Sequence, residues 1–235
     1  MRRAEKLLMC VFVGMLCQPV NSGLAWTPMK SASKDPLATR ISLPKVEKAS
    51  VCDMASLALS VGQVPGGIVV AGSQSDQKEH GYSFRSPLPL REVLKTIVSS
   101  DDLYAWQATK GVVNVVPRRG VPPILKTRIS EFNSQDLTTL TAAVTLLLRS
   151  PEVRKRRQEL NYGEGFNRLQ GYYAISKPGF PPKKSPEPLS IHVKNTLLFD
   201  ALNALVSAHG HGVWIYREYS HPQGKHYFEV SITGE

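Results

Sequence analysis

The sequence predicts an α+β protein built as two tandem small α/β sandwiches, each running approximately β-α-β-β-α-β-β. Three observations predict it. Short strand patterns alternate with amphipathic helical stripes along the whole chain. A linker at 119–123, carrying Gly120-Val121-Pro122-Pro123, separates a first unit, 40–118, from a second, 124–235. The order of elements then recurs, with the segment 90–100 (LREVLKTIVSS) matching 198–208 (LFDALNALVSA) without a gap. The same offset of 108 lays Trp106 over Trp214, and five positions are identical: Leu90/Leu198, Leu94/Leu202, Val98/Val206, Ser99/Ser207 and Trp106/Trp214. Shared leucines alone follow from amphipathicity, but a matched tryptophan in the next strand does not, so the repeat reads as a duplication.

In the first unit, 41–43 has a short strand pattern. Ser50 and Asp53 then have the spacing of a capping box, and Met54, Leu57, Ala58 and Val61 fall on one helical face. Gly62, Pro65, Gly66 and Gly67 end that helix before a strand at 68–71. A second strand is expected at 82–85. Pro87 and Pro89 open the next helix, whose stripe is Leu90, Val93, Leu94, Ile97 and Val98. Strands at 104–108 and 112–116 form a hairpin across Lys110-Gly111.

The second unit starts with a strand at 126–132. A helical stripe follows on Leu137, Leu140, Val144, Leu147 and Leu148. A long insertion occupies 151–188. It carries a strand pattern at 172–175 and a stiff loop at 177–188 with five prolines. A strand at 189–194, a helix with Leu198, Ala201, Leu202, Leu205 and Val206 facing inward, and a closing hairpin of 213–216 and 227–232 across 221–224 complete it.

The first 25 residues have the form of a secretory signal peptide. Arg2, Arg3 and Lys6 precede an apolar run at 7–16, ten residues long and too short to span a bilayer, and small residues reach Ala25. Residues 26–39 read as a flexible leader, and because no later segment approaches 18 apolar residues, a soluble, stand-alone protein of the periplasm or the exterior is expected. The chain carries +10, and loss of the signal removes three positive residues and one negative, leaving +8. For an exported chain this favours an anionic envelope polymer or an acidic protein over nucleic acid. Cys10 and Cys17 lie in the signal, leaving Cys52 without an intramolecular partner and suited to a core position.

The paired units resemble the secretin and TonB short N-terminal (STN) domain family. The helix 90–98 and, more closely, the helix 196–205 (TLLFDALNAL) are similar to that family's second helix, and 54–62 to its first. The resemblance implies a small α/β sandwich and a non-enzymatic role as a protein-protein interaction module whose partner is an envelope protein. The insertion at 151–188 departs from the family's usual connection.

No catalytic, cofactor-binding or metal site is expected. There is no G-x-S-x-G, and the glycine-rich stretch at 161–166 lacks the Gly-Lys-Ser/Thr of a phosphate loop. His209 and His211 are the nearest approach to a metal pair, in a rival reading of the second unit as a hydrolase or metal-dependent enzyme. The simpler reading has His209 ending a helix and Gly210 capping it. A third reading is a binder of glycan or anionic envelope polymer. Its candidate residues are Arg154, Lys155, Arg156 and Arg157, expected at the solvated end of a helix, with Lys183 and Lys184 of the proline loop.

Overall fold

The computed structural model describes residues 35–72, 77–85, 87–163, 188–220, 224 and 226–233. The expected signal peptide, the leader up to residue 34, the strand at 172–175, Lys183, Lys184 and the greater part of the insertion lie outside the described residues. What is described belongs to one compact unit, Lys34–Glu235. The mixture of helices and strands is that of an α+β protein.

The first half contains β1 (Arg40–Ile41), β2 (Val46–Ala49), α1 (Val51–Gly62), β3 (Gly66–Val69), β4 (His80–Tyr82), β5 (Leu88–Pro89), α2 (Leu90–Ser99), β6 (Tyr104–Thr109) and β7 (Val112–Pro117). The second contains β8 (Arg128–Leu137), α3 (Leu140–Leu148), α4 (Pro151–Glu159), β9 (Leu189–Leu197), α5 (Leu198–His209), β10 (Val213–Ser220) and β11 (His226–Thr233). Among the described residues, no helix is long and apolar enough to cross a membrane.

Each helix starts where its local chemistry dictates. Ser50 Oγ accepts the Asp53 N–H at 3.1 Å and donates to Asp53 Oδ2 at 2.8 Å. The expected cap is therefore present, with the carboxylate holding the serine hydroxyl. Thr139 caps α3 in the same manner, accepting the Ala142 N–H at 3.1 Å. In the β6–β7 turn, Lys110 and Gly111 have φ of 53° and 81°, the paired left-handed conformations that a two-residue hairpin turn requires.

The repeated pattern extends in the structure to residues beyond the matched helices. Thr39-Arg40-Ile41-Ser42 recurs as Thr127-Arg128-Ile129-Ser130. Each copy follows a short 3-10 turn, Pro36–Ala38 or Pro123–Lys126. Each threonine carbonyl accepts the first N–H of a later helix, Leu90 to Thr39 and Leu198 to Thr127, both at 2.8 Å. Each following strand then pairs antiparallel with the strand just before that helix: Arg40 opposite Pro89, Arg128 opposite Leu197. These carbonyl bonds explain why α2 and α5 need no side-chain cap.

The two copies do not stand as separate sandwiches. One five-stranded sheet, ordered β11-β10-β3-β7-β6, takes strands from both halves. β3 lies at its centre, parallel to β7 on one side and to β10 on the other, and the hairpins place β6 and β11 at the edges. Alternate residues feed two cores. Ile68, Val113, Val115, Val213 and Ile215 pack with α1 and α2 on one face. Val69, Val112, Trp214, Tyr216 and Val230 pack with α3 and α5 on the other. A strand buried on both faces shows a continuous apolar run; 68–71 and 213–216 have that form, and 112–116 has it apart from Asn114. Burying one large apolar side chain contributes about 2 kcal/mol. The five inward residues of α2 or of α5 thus fix the helix on its face far more firmly than intrinsic propensity, worth under about 1 kcal/mol per residue.

Gly67 permits the union. In register it lies between Asn114 and Trp214, and a Cβ there would overlap Cε2 and Cζ2 of the indole. The ring of Trp214 therefore occupies the space a side chain on β3 would fill. Its Nε1–H donates to Asn203 Oδ1 of α5 at 2.9 Å, and Phe199 meets it edge-on at 5.4 Å.

Several local expectations change. β8 continues through Leu137, so that residue belongs to the strand and not to the helical stripe. Arg154–Arg157 lie on a separate helix, α4, because Pro151 has no N–H to continue α3 but suits a first helical turn. The leader's end is not free chain: Leu37 is buried in the first core and Asp35 pairs with Arg91 at 2.9 Å.

Candidate functional site

The sheet is not covered evenly. On the α5 side, β10, β3 and the first residue of β7 meet the second core, while β6 carries exposed Gln107, Ala108 and Thr109. Beside them opens a cleft of about 660 Å³. One wall is β6 and β7, with Gln107, Thr109 and Asn114. The other is β9 and α5, with Ile191, His192, Val193, Phe199 and Asn203. β6 ends the five-stranded sheet and β9 is paired only with β8, so among the described residues each has one edge without a strand partner.

The lining is largely uncharged and rich in groups that both donate and accept hydrogen bonds. Asn114 is 1% exposed, and its Oδ1 has no hydrogen-bond partner. A buried carboxamide oxygen left unpaired costs about 1–3 kcal/mol, a penalty the surrounding fold offsets. Asn203 is oriented by the Trp214 indole. At the rim, His192 Nε2 lies 2.9 Å from Glu131 Oε1 and Lys194 Nζ lies 3.3 Å from the same oxygen. His192 first, and Lys194 with it, hold the Glu131 carboxyl below the usual carboxylate range.

The expected anion-binding residues divide. Arg154 and Lys155 are exposed on α4. Arg156 is engaged with Glu159 at 2.9 Å. Arg157 lies 5.6 Å from the Phe228 ring centroid and donates to the Gly163 carbonyl at 2.8 Å, so it anchors the chain after α4. Arg154 and Lys155 remain the exposed pair of that cluster.

His209 Nδ1 lies 2.9 Å from the His211 carbonyl oxygen, with the rings 4.3 Å apart, and Gly210 holds the left-handed cap at φ 82°. Among the described residues, no three of His, Cys, Asp and Glu converge as a metal site. Cys52 is 1% exposed, and burial pushes its thiol up to about 12. It is a core residue at neutral pH.

No sequence motif contains the cleft. One signal was present: Asn114 interrupts the otherwise apolar run Val112-Val113-Asn114-Val115-Val116. A polar residue in a doubly buried strand marks either a core hydrogen bond or a site. No protein-family profile matches the chain, and neither a curated protein nor a solved structure matches it.

Proposed function

We propose that this chain is a non-enzymatic interaction module of the cell envelope, exported through its N-terminal signal, that captures an extended segment of a partner protein by strand addition at β6. The observation that carries the reading is the juxtaposition of an unpaired strand edge with an open cleft. β6 offers a row of backbone donors and acceptors, and the neighbouring cleft offers pockets for alternate side chains of an added strand. The resemblance of the duplicated helices to STN domains supports the same class of role. The basic net charge supports an acidic partner. Binding of an anionic envelope polymer has less support, since two of the four arginine and lysine residues on α4 are already engaged within the protein.

Photo-crosslinkers at Gln107 and Thr109 are expected to capture one envelope protein from the host, while one at Lys95, exposed on α2, does not. Amides of β6 slow their hydrogen exchange in the captured complex. Equal capture from all three positions, or capture without protection of β6, refutes the reading.

A further inference from the structure

A second cavity, of about 490 Å³, lies at the carboxyl ends of the parallel strands. Val70, Ala71 and Gly72 follow β3 into it, Pro117 is the last residue of β7, and Glu218 stands on the outgoing half of β10. It is separate from the cleft beside β6, which meets β7 at its opposite end through Val112 and Asn114. Open sheets with parallel strands present ligands at this end, where backbone carbonyls run out of the sheet.

The polar centre is a carboxylate with two neutral donors. Tyr216 and Tyr162 each donate a hydroxyl hydrogen to Glu218 Oε1, both at 2.6 Å. Tyr216 and Glu218 share a face because they lie two apart on one strand. Tyr162 arrives from the turn after α4, held there by the Gly163 N–H donating to the His226 carbonyl at 2.8 Å. Burial, with Glu218 beside them, pushes both phenols up, Tyr162 to about 12 and Tyr216 further, so both stay protonated donors at neutral pH. Two O–H donors on one oxygen neutralise no charge. Among the described residues no cation pairs with Glu218, although Arg119 lines the same cavity. The remaining walls, Val70, Leu103, Val121 and Pro122, are apolar.

A fixed carboxylate lining a cavity with several apolar walls suits an alkyl chain tipped by a positive group. We propose that this cavity binds an alkylammonium group, with Glu218 as its counter-ion and Tyr162 and Tyr216 as the residues that position the carboxylate. A lysine side chain of a peptide and a free aliphatic amine share that chemistry.

The test is an NMR titration of the full-length protein with three probes: blocked lysine (N-acetyl-lysine N-methylamide), its uncharged counterpart with norleucine, and n-butylammonium. Blocked lysine or butylammonium is expected to shift the Tyr162, Val70 and Leu103 resonances with a dissociation constant on the order of 1 mM. Norleucine is expected to bind at least about tenfold more weakly, the loss of one charge-assisted hydrogen bond. Binding by blocked lysine assigns a peptide side chain as the source, and binding by butylammonium alone assigns a free amine. Glu218→Gln is expected to abolish the preference for the charged probe. Equal shifts with lysine and norleucine in the unaltered protein, or no shift at these residues with either amine, overturn the proposal whether or not the Glu218 variant folds.

Discussion

Replacing Gly67 with alanine tests the shared sheet directly, because Gly67 comes from the first copy and Trp214 from the second. The added Cβ overlaps two indole atoms and comes within 2.6 Å of Asn114 Oδ1. Trp214 is 0% exposed, so its indole is packed on by neighbouring side chains. Overpacking of this kind costs about 1–3 kcal/mol. If the indole tilts away, the bond to Asn203 and the edge contact with Phe199 weaken as well, about 1 kcal/mol each. G67A is therefore expected to lose about 3–5 kcal/mol, a large share of the roughly 5–15 kcal/mol typical of a domain. Urea unfolding followed by far-UV circular dichroism measures this as a lower midpoint at unchanged slope. In a Trp214→Phe background the two overlapping indole atoms are gone and only the tip of the Asn114 side chain must shift, so the same substitution is expected to cost under about 1 kcal/mol, a coupling of at least about 2 kcal/mol. Two independently folded sandwiches would show no coupling. A G67A protein within about 0.5 kcal/mol of the parent, or an equal penalty in both backgrounds, would refute the reasoning.

Alkaline pH gives a second prediction. Burial pushes up the Cys52 thiol to about 12 and the Tyr104 and Tyr216 phenols above their ordinary range. The unfolded chain loses these protons first, so the contribution to stability is complete below pH about 9 and falls as pH rises toward 12. Urea midpoints measured at pH 7–11 are expected to stay level to about 9 and then drop, whereas a rise above 9 contradicts the assignment. The helix caps give a third. Ser50→Ala and Thr139→Ala are each expected to cost about 1 kcal/mol, and the double variant their sum, because α1 and α3 pack on opposite faces of the sheet. Guanidinium unfolding of the three variants checks both the magnitude and the additivity.

Much of the site escaped the sequence because it depends on neighbours far apart in the chain. Gln107 and Thr109 read as ordinary residues of a hairpin, and nothing in the helix 198–209 marks Asn203 as facing them. Likewise Tyr162, in a glycine-containing stretch that reads as a loop, meets Glu218 only because Gly163 is bonded to the start of β11. The basic run 154–157 shows the opposite error. Four like charges suggest one surface, yet Arg154 and Lys155 face water while Arg157, in the last turn of α4, reaches back to the Phe228 ring and the Gly163 carbonyl.

The sequence by itself determined most of the individual elements and the repeated pattern that relates them. Hydroxyl caps, positive-φ turn residues and apolar stripes act over a few residues, and the repeated helix and tryptophan are legible without coordinates. The repeated Thr-Arg-Ile-Ser was equally legible, but its role, a carbonyl closing a helix 51 or 71 residues later, was not. Tertiary structure alone decided that the copies join. Runs such as Val-Trp-Ile-Tyr show that a strand is buried on both faces, but not which strand lies beside it. That choice rests on shape, the bare backbone of Gly67 beneath the indole of Trp214, a complementarity between residues 147 positions apart that no local pattern records.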